Sequence, residues 1–139
     1  MDIEVRKNPS STDINLITTG LKDFNKEFGT EDHSNQIAIV AKDDSGQIAG
    51  GAVCSLQYTS CYIHLFWLQA GSRGKGLGRA VFEALVQECT EYGVKDIFLD
   101  TFSFQSTGFY ESLGFECVGC LRNYPKQGIN RQFYHASIS

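Results

Sequence analysis

A strand, a glycine-rich loop, a helix and a second strand follow one another between Cys61 and Ser103. The first segment, CYIHLFWL, is rich in β-branched and aromatic residues and predicts a strand buried on both faces. From Leu77 the apolar residues recur every three or four positions up to Gly93, which predicts a helix that ends at a glycine. VKDIFLDTFS predicts the second strand. Two strands joined by a helix in this way lie parallel and require a right-handed crossover, so the sheet must contain a parallel pair.

The remaining segments predict a helix and a hairpin before this unit, and a helix and two strands after it. SSTDINLITTGLKDFNKEFG has capping residues, helical apolar spacing and a terminal Gly29. IAIVA and IAGGAVCSLQY flank the turn sequence KDDSGQ, and the pair Gly50-Gly51 indicates a bulge or a close backbone approach. QSTGFYESLG predicts a short helix, and FECVGCLRNY and RQFYHASIS predict two closing strands. The expected class is therefore mixed α/β.

Composition limits the kind of protein this chain can be. Its 139 residues fit one domain, residues 1–139, and no internal repeat or linker is present. A net charge of -4 argues against nucleic-acid binding, and no apolar run is long enough for a membrane span. The N-terminus does not resemble a secretory signal, which favours a cytoplasmic location. Five cysteines fit free thiols, and the pair Cys117 and Cys120 lacks partners for zinc, so we expect no metal and leave a redox role as the lesser alternative.

The loop between the predicted strand and helix has the chemistry of an anion site. Gly74, Gly76 and Gly78 allow the backbone to approach a ligand, and Arg73, Lys75 and Arg79 alternate with them. The helix that follows contributes unpaired N–H groups and the positive end of its dipole. The spacing does not match a P-loop, because Gln69 stands where the leading glycine is needed, and it fails the dinucleotide pattern because the third glycine position is Arg79.

The spacing R-x-x-G-x-G, which covers Arg73 to Gly78, resembles the loop of the GNAT N-acetyltransferase superfamily. A second motif, FYESLGF from Phe109 to Phe115, is similar to the later motif of that family and stands in the same order. The resemblance implies a largely antiparallel mixed sheet of about six to seven strands with a splayed parallel pair and three to four helices. It also implies acetyl-CoA as co-substrate, held by Arg73, Gly74, Lys75, Gly76, Leu77, Gly78 and Arg79.

Acetyl transfer from a thioester to an amine needs a proton for the thiolate, a donor for the carbonyl oxygen and a neutral amine. The resemblance assigns Tyr110 as the acid, with a packed aromatic as the alternative. It assigns the backbone N–H of Leu68 or a neighbour to the oxygen. His64, four residues before Leu68 and expected on the same strand face, is the candidate base, with a satisfied buried histidine as an equal alternative.

Two positions depart from the family pattern. Ser103 and Ser106 replace an asparagine and an alanine that contact the pantetheine arm in many members. Ser103 can still form a hydrogen bond to the cofactor, and Gln105 can substitute for the lost amide.

The sequence leaves the acceptor open. The leading hypothesis is a small primary amine; the alternatives are a protein lysine or N-terminus, or a non-catalytic acyl-CoA sensor. Glu31, Asp32 and His33 would line the acceptor side, where the acidic pair would favour a cation. Four aromatic residues could line the acceptor pocket or belong to the core: Tyr58, Tyr62, Trp67 and Phe104. The resemblance also allows a homodimer.

Overall fold

The computed structural model describes residues 1–30, 34–105 and 107–138. Glu31, Asp32, His33 and Ser106 therefore lie outside the described residues. The chain divides into two compact units, Met1–His33 and Ser34–Ser139, each of which is described by itself. The expectation of one domain stays a prediction.

The first unit consists mainly of the helix α1, Ser11–Lys26. Ser10 and Asp13 form a capping box, in which each side chain accepts a hydrogen bond from the backbone N–H of the other. The predicted apolar stripe is present, and Phe24 and Phe28 are in ring contact at 5.3 Å. None of the helix residues is buried.

The second unit contains the predicted elements in the predicted order. They are β1 (Asn35–Lys42), β2 (Ile48–Gln57), β3 (Ser60–Leu68), a 3-10 turn (Ala70–Ser72), α2 (Leu77–Tyr92), β4 (Asp96–Phe102), α3 (Thr107–Ser112), β5 (Glu116–Leu121) and β6 (Arg131–Ser137). Six strands form one sheet in the order β1-β2-β3-β4-β6-β5. Only β3 and β4 are parallel among these neighbours, which confirms the mixed, largely antiparallel sheet.

The parallel strands β3 and β4 pair over only part of their length. The register runs from Ser60 opposite Asp96 to Ile63 opposite Leu99 and then stops, although β3 continues to Leu68 and β4 to Phe102. The pairing of β3 with β2 shifts at the same place, because Val53 lies opposite Leu65 whereas Cys54 lies opposite Ile63. His64 is thus the extra residue of a β-bulge, which bends its strand. The predicted splay is present, and we call the space between residues 64–68 and 100–102 the gap.

One face of the sheet forms the core with α2 and α3. Leu85 and Cys89 of α2, Cys61 of β3, Ile97 of β4 and Tyr134 of β6 are almost completely buried there. The opposite face, which we call the second face, carries Tyr62, His64, Phe98, Asp100 and Phe133. The expectation that β3 is buried on both faces is wrong: Leu65 and Trp67, which follow the bulge on the second face, are 64% and 56% exposed.

Gly50 and Gly51 let β1 and β3 approach β2 closely, as predicted. A Cβ atom at Gly51 would lie 2.1 Å from the carbonyl oxygen of Ile39, and one at Gly50 would lie 2.5 Å from that of Trp67. Both neighbours are backbone atoms and cannot move aside as a flexible side chain would. Gly50 therefore allows the close approach that positions the end of β3 next to the gap, and Gly51 does the same for β1.

Candidate active site

The glycine-rich loop opens the helix α2 as the sequence predicted. Gly74 and Gly76 have φ angles of 74° and 78°, which side chains rarely adopt, and Gly76 is the N-cap of α2. A Cβ atom at either position would project into open space. Their backbone is therefore open to an approaching ligand, and the first N–H groups of α2, from Leu77 to Arg79, have no partner within the helix. These features fit a phosphate group.

Arg73 is tied to the strand that precedes the loop. Its Nε atom donates a hydrogen bond to the carbonyl oxygen of Leu68 at 3.0 Å. The side chain is exposed, so the terminal nitrogens of its guanidinium group can still bind an anion. Lys75 and Arg79 are exposed as well. A cavity of about 350 Å³ lies between this loop and the β1–β2 turn, with Lys42 and Lys75 among its lining residues.

Gly78 has a packing function that the sequence did not reveal. It is buried, and a Cβ atom there would lie 3.2 Å from the ring of Phe109 and 3.4 Å from Leu68 Cδ1. The small residue lets α2 approach α3 and the end of β3 closely. Only the backbone of Gly78 is therefore available to a ligand.

Backbone groups of β3 point into the gap. Gln69 donates to the carbonyl of Ala49 at 2.8 Å, so Leu68 and Gly50 form the adjacent, non-hydrogen-bonded pair. The N–H of Leu68 is therefore directed away from β2 toward the gap, and the same alternation applies to Phe66. The prediction that Leu68 offers a backbone donor fits this register.

Tyr110 lies on the core side of the gap among aromatic rings. Its ring centroid is 6.2 Å from that of Phe66 on β3, 5.4 Å from Phe109 and 5.9 Å from Phe115. The residue is only 7% exposed, and burial raises the pKa of its hydroxyl to about 12. Tyr110 is thus a packed aromatic that also lies beside the gap, and its role as the acid stays a prediction.

His64 lies on the second face, and one prediction about it is wrong. Simple alternation placed His64 and Leu68 on one face, but the bulge at His64 changes the alternation, so that Leu68 packs against the core. His64 is also exposed rather than buried. Its Nε2 atom is 2.6 Å from Ser55 Oγ, and its ring meets that of Tyr62 edge to face at 4.5 Å. The gap therefore has the candidate acid on one face and the candidate base on the other.

A polar chain next to His64 was missed by the sequence analysis. Tyr62 donates from its hydroxyl to Asp100 Oδ2 at 2.6 Å, and Asp100 Oδ1 pairs with Arg131 Nη2 at 3.0 Å. The hydrogen bond to Asp100 raises the pKa of Tyr62, and the same carboxylate raises that of Arg131. Asp100 and Arg131 are far apart in sequence, so only the β4–β6 register brings them together. A cavity of about 240 Å³ lies next to these hydrogen-bonded side chains, and Ser55 and Tyr62 are among its lining residues.

The two polar residues expected near the pantetheine arm hold the backbone after β4. Ser103 Oγ accepts a hydrogen bond from the N–H of Asn130 at 2.9 Å. Gln105 Oε1 accepts from Thr101 Oγ1 at 2.6 Å and from the N–H of Phe102 at 2.8 Å. The observed contacts are thus structural, and a cofactor contact by Ser103 stays a prediction.

Cys117 and Cys120 are the remaining candidates from the sequence, and they form no recognisable functional site with the other described residues. Cys117 and Cys120 are exposed free thiols on the edge strand β5, in agreement with their predicted strand positions. Within the described ranges no cluster of ligating side chains could hold a metal ion. None of the described helices is long and apolar enough to cross a membrane.

In this fold the first strand of a splayed parallel pair leads through a glycine-rich loop into a helix. This arrangement is typical of acetyltransferases, and comparison with known proteins gives the same class. Residues 8–115 match the model of the Acetyltransferase (GNAT) family. The chain belongs to this family.

The most informative relative is a blasticidin-S acetyltransferase from Streptomyces morookaense, which is 34% identical over 89 residues. That match spans 63% of this chain and 65% of the relative's length. An acetyltransferase from Bacillus cereus has the same fold, with a TM-score of 0.88, 22% identity and coverage of 97% of this chain and 98% of its own. An aminoglycoside 6'-N-acetyltransferase complexed with coenzyme A has a TM-score of 0.66 and 21% identity, over 75% of this chain and 73% of its own.

Proposed function

We propose that this protein is an acetyl-CoA-dependent N-acetyltransferase that transfers the acetyl group directly to a primary amine of a small molecule. The observation that carries the proposal is the gap: β3 and β4 separate after Ile63 and Leu99, and the anion-binding loop begins where β3 ends. The name of the 34% identical relative supports a small-molecule acceptor.

The loop binds the phosphates of the donor, and the gap binds its extended chain. Backbone N–H groups at the start of α2, with Arg73, Lys75 and Arg79, balance the charge of a pyrophosphate. Gap-facing peptide groups of Phe66 and Leu68 bind an extended chain without any requirement for side chains. When bound, acetyl-CoA supplies an activated thioester. The N–H of Leu68 then stabilises negative charge on the carbonyl oxygen.

Tyr110 acts on the leaving sulfur by donating from its hydroxyl. Its pKa of about 12 keeps the hydroxyl protonated at every physiological pH. A thiol has a pKa of about 8.5, which is well below that of Tyr110. Complete transfer of the proton from Tyr110 to the thiolate is therefore uphill. Tyr110 therefore acts mainly as a hydrogen-bond donor to the sulfur as the C–S bond breaks.

His64 acts as the base on the second face, from which the amine enters. The contact of Nε2 with Ser55 fixes the ring, and the other ring nitrogen or a bound water accepts the proton of the attacking amine. Ser55 is thus a positioning residue. Because acid and base lie on opposite faces of the sheet, donor and acceptor can enter from opposite sides and meet in the gap.

The first experiment is a calorimetric titration with acetyl-CoA. We compare the native chain, the double variant Arg73→Ala, Gly76→Asp, and a control double variant, Lys95→Ala, Gly93→Asp. Both pairs change the net charge equally and both place an aspartate at a glycine with a positive φ, but the control residues lie at the C-terminal end of α2, whereas the loop precedes its N-terminus. We expect binding by the native and control proteins and loss of binding in the loop variant. Equal binding by all three would rule out the phosphate assignment.

The second experiment measures thiol release with a panel of small amines. Turnover separates an enzyme from a protein that only binds acyl-CoA. Tyr110→Phe should lower kcat while binding of acetyl-CoA persists, and unchanged turnover would remove its role as the acid. His64→Gln should abolish the acidic limb of the pH-rate profile; if that limb stays in place, the base is another group.

A further inference from the structure

Three aromatic rings form a nearly parallel stack at the end of β4. Phe102 stacks on Phe104 with centroids 5.6 Å apart and an interplanar angle of 17°, and on Tyr124 at 6.3 Å and 24°. Phe104 follows β4 and Tyr124 lies between β5 and β6. The outer members of the stack are open to solvent, since Phe104 is 67% and Tyr124 44% exposed. An exposed phenyl ring leaves apolar area in water that a ligand could cover.

The stack differs from the core aromatics in geometry. Tyr110 meets Phe66 and Phe115 at 81° and 79°, the edge-to-face arrangement common in packed interiors. The rings of the stack are nearly parallel instead, and its exposed outer member Phe104 leaves apolar ring area in contact with solvent. Such a surface is complementary to another flat, conjugated ring.

The charges beside the stack are already paired. Arg131 lies 5.5 Å from the centroid of the Tyr124 ring, and its guanidinium group is bonded to Asp100. Asp100 uses one carboxylate oxygen for Arg131 and the other for Tyr62. This carboxylate is therefore not a free binding site for a cation. The stack is fixed by Arg131, and its recognition is through ring contact rather than through charge.

The stack lies on the side of the gap that β4 forms. Phe102 belongs to the part of β4 that is no longer paired with β3, two residues beyond Asp100. The chain of contacts from Phe102 through Tyr124, Arg131, Asp100 and Tyr62 reaches the candidate base His64. A ligand held on the stack is therefore on the second face, where the amine enters.

We propose that the acceptor amine is carried by a planar conjugated ring, which stacks on the surface formed by Phe102, Phe104 and Tyr124. This inference rests on the proposed acetyltransferase function and specifies its substrate class. Phe104 is its specificity-determining residue because it has the largest exposed ring of the three.

The test compares amines that share the amine and the linker and differ in whether the six-membered ring is planar and conjugated. 2-Phenylethylamine and 2-cyclohexylethylamine present the same amine on the same linker, so kcat/KM for thiol release is measured for both. The native protein should prefer the aromatic member by about two- to tenfold, the range that one ring pair supplies, mainly through KM. Phe104→Leu should remove this preference. Tyr92→Leu, which removes an exposed ring at the far end of α2, should retain it.

Three outcomes would overturn the inference: equal kcat/KM for both amines in the native protein, no turnover of either, or a preference that survives in Phe104→Leu. Calorimetry with acetyl-CoA and turnover of amines without rings are measured alongside. If these succeed while the preference is absent, only the ring proposal fails. If acetyl-CoA does not bind, the proposed function fails. Thermal unfolding of Phe104→Leu confirms that the variant is folded.

Discussion

Removal of the Tyr110 hydroxyl should make the protein less sensitive to alkaline conditions. Burial raises the pKa of this group to about 12 in the folded chain, whereas an unfolded tyrosine titrates near 10. Between these values the unfolded chain has released the proton and the folded chain has kept it. The unfolded state therefore binds fewer protons, and the free energy of unfolding decreases as pH rises through this window. Below about pH 10 the stabilising contribution is complete.

The magnitude follows from the two pKa values. At pH 11 the unfolded tyrosine is about ten-elevenths ionised and the folded one about one-eleventh, so native stability is lower by about 1.4 kcal/mol than at pH 8. Tyr110→Phe lacks this term. The difference in free energy of unfolding between the variant and the native protein should therefore shift by about 1.4 kcal/mol in favour of the variant from pH 8 to pH 11.

Urea unfolding followed by circular dichroism at pH 8 and pH 11 measures this shift. The control is Tyr58→Phe, because this variant removes the hydroxyl of a tyrosine that is 53% exposed. Comparison of each variant with the native protein cancels contributions from buried thiols such as Cys61, whose pKa is raised to about 12 by its hydrogen bond to Cys54. A shift in Tyr110→Phe no larger than that in Tyr58→Phe would refute the assignment of Tyr110 to an apolar site.

Three further predictions concern the strands and the loop. Gly51→Ala should destabilise the protein by about 2–3 kcal/mol in urea unfolding, because its Cβ would overlap the Ile39 carbonyl, whereas Gly20→Ala, with open space around it, should not. Arg73→Ala should weaken acetyl-CoA binding about tenfold in calorimetry, since a charge-assisted contact is lost; an unchanged Kd would contradict this. Ser55→Ala should lower kcat if the histidine that it holds in place is the base, and should have no further effect in a His64→Gln background.

The fold could be predicted because its signals are local. Gly93 ends α2 in the left-handed conformation at φ 89°, and Gly114 follows α3 at φ 95°. Both stop signals are readable without knowledge of any partner. The strand–helix–strand order alone required the parallel pair, and the six strands and three helices of the described residues fall within the predicted numbers.

The site was predicted in part, because some of its geometry depends on register. The face of Leu68 relative to His64 could not be read from alternation, since the bulge at His64, opposite Val53 and Cys54, reverses the faces of every later residue in β3. Asp100 and Arg131 meet only through the pairing of β4 with β6. No local pattern marks such a contact. The backbone loop, in contrast, was found because glycine and basic residues stand next to one another in sequence.

The two walls of the gap explain why family membership does not identify the acceptor. On the β3 wall the groups proposed to bind the donor are main-chain groups, fixed in direction by the register with β2 and by the close approach at Gly50. Under this proposal the donor site depends on the register more than on the identity of the side chains. The β4 wall instead presents side chains, Asp100 and Phe102, whose partners come from distant segments. If the proposed function holds, we expect changes there to leave donor binding intact and to alter the choice of acceptor, so the acceptor has to be inferred from the residues of the second face.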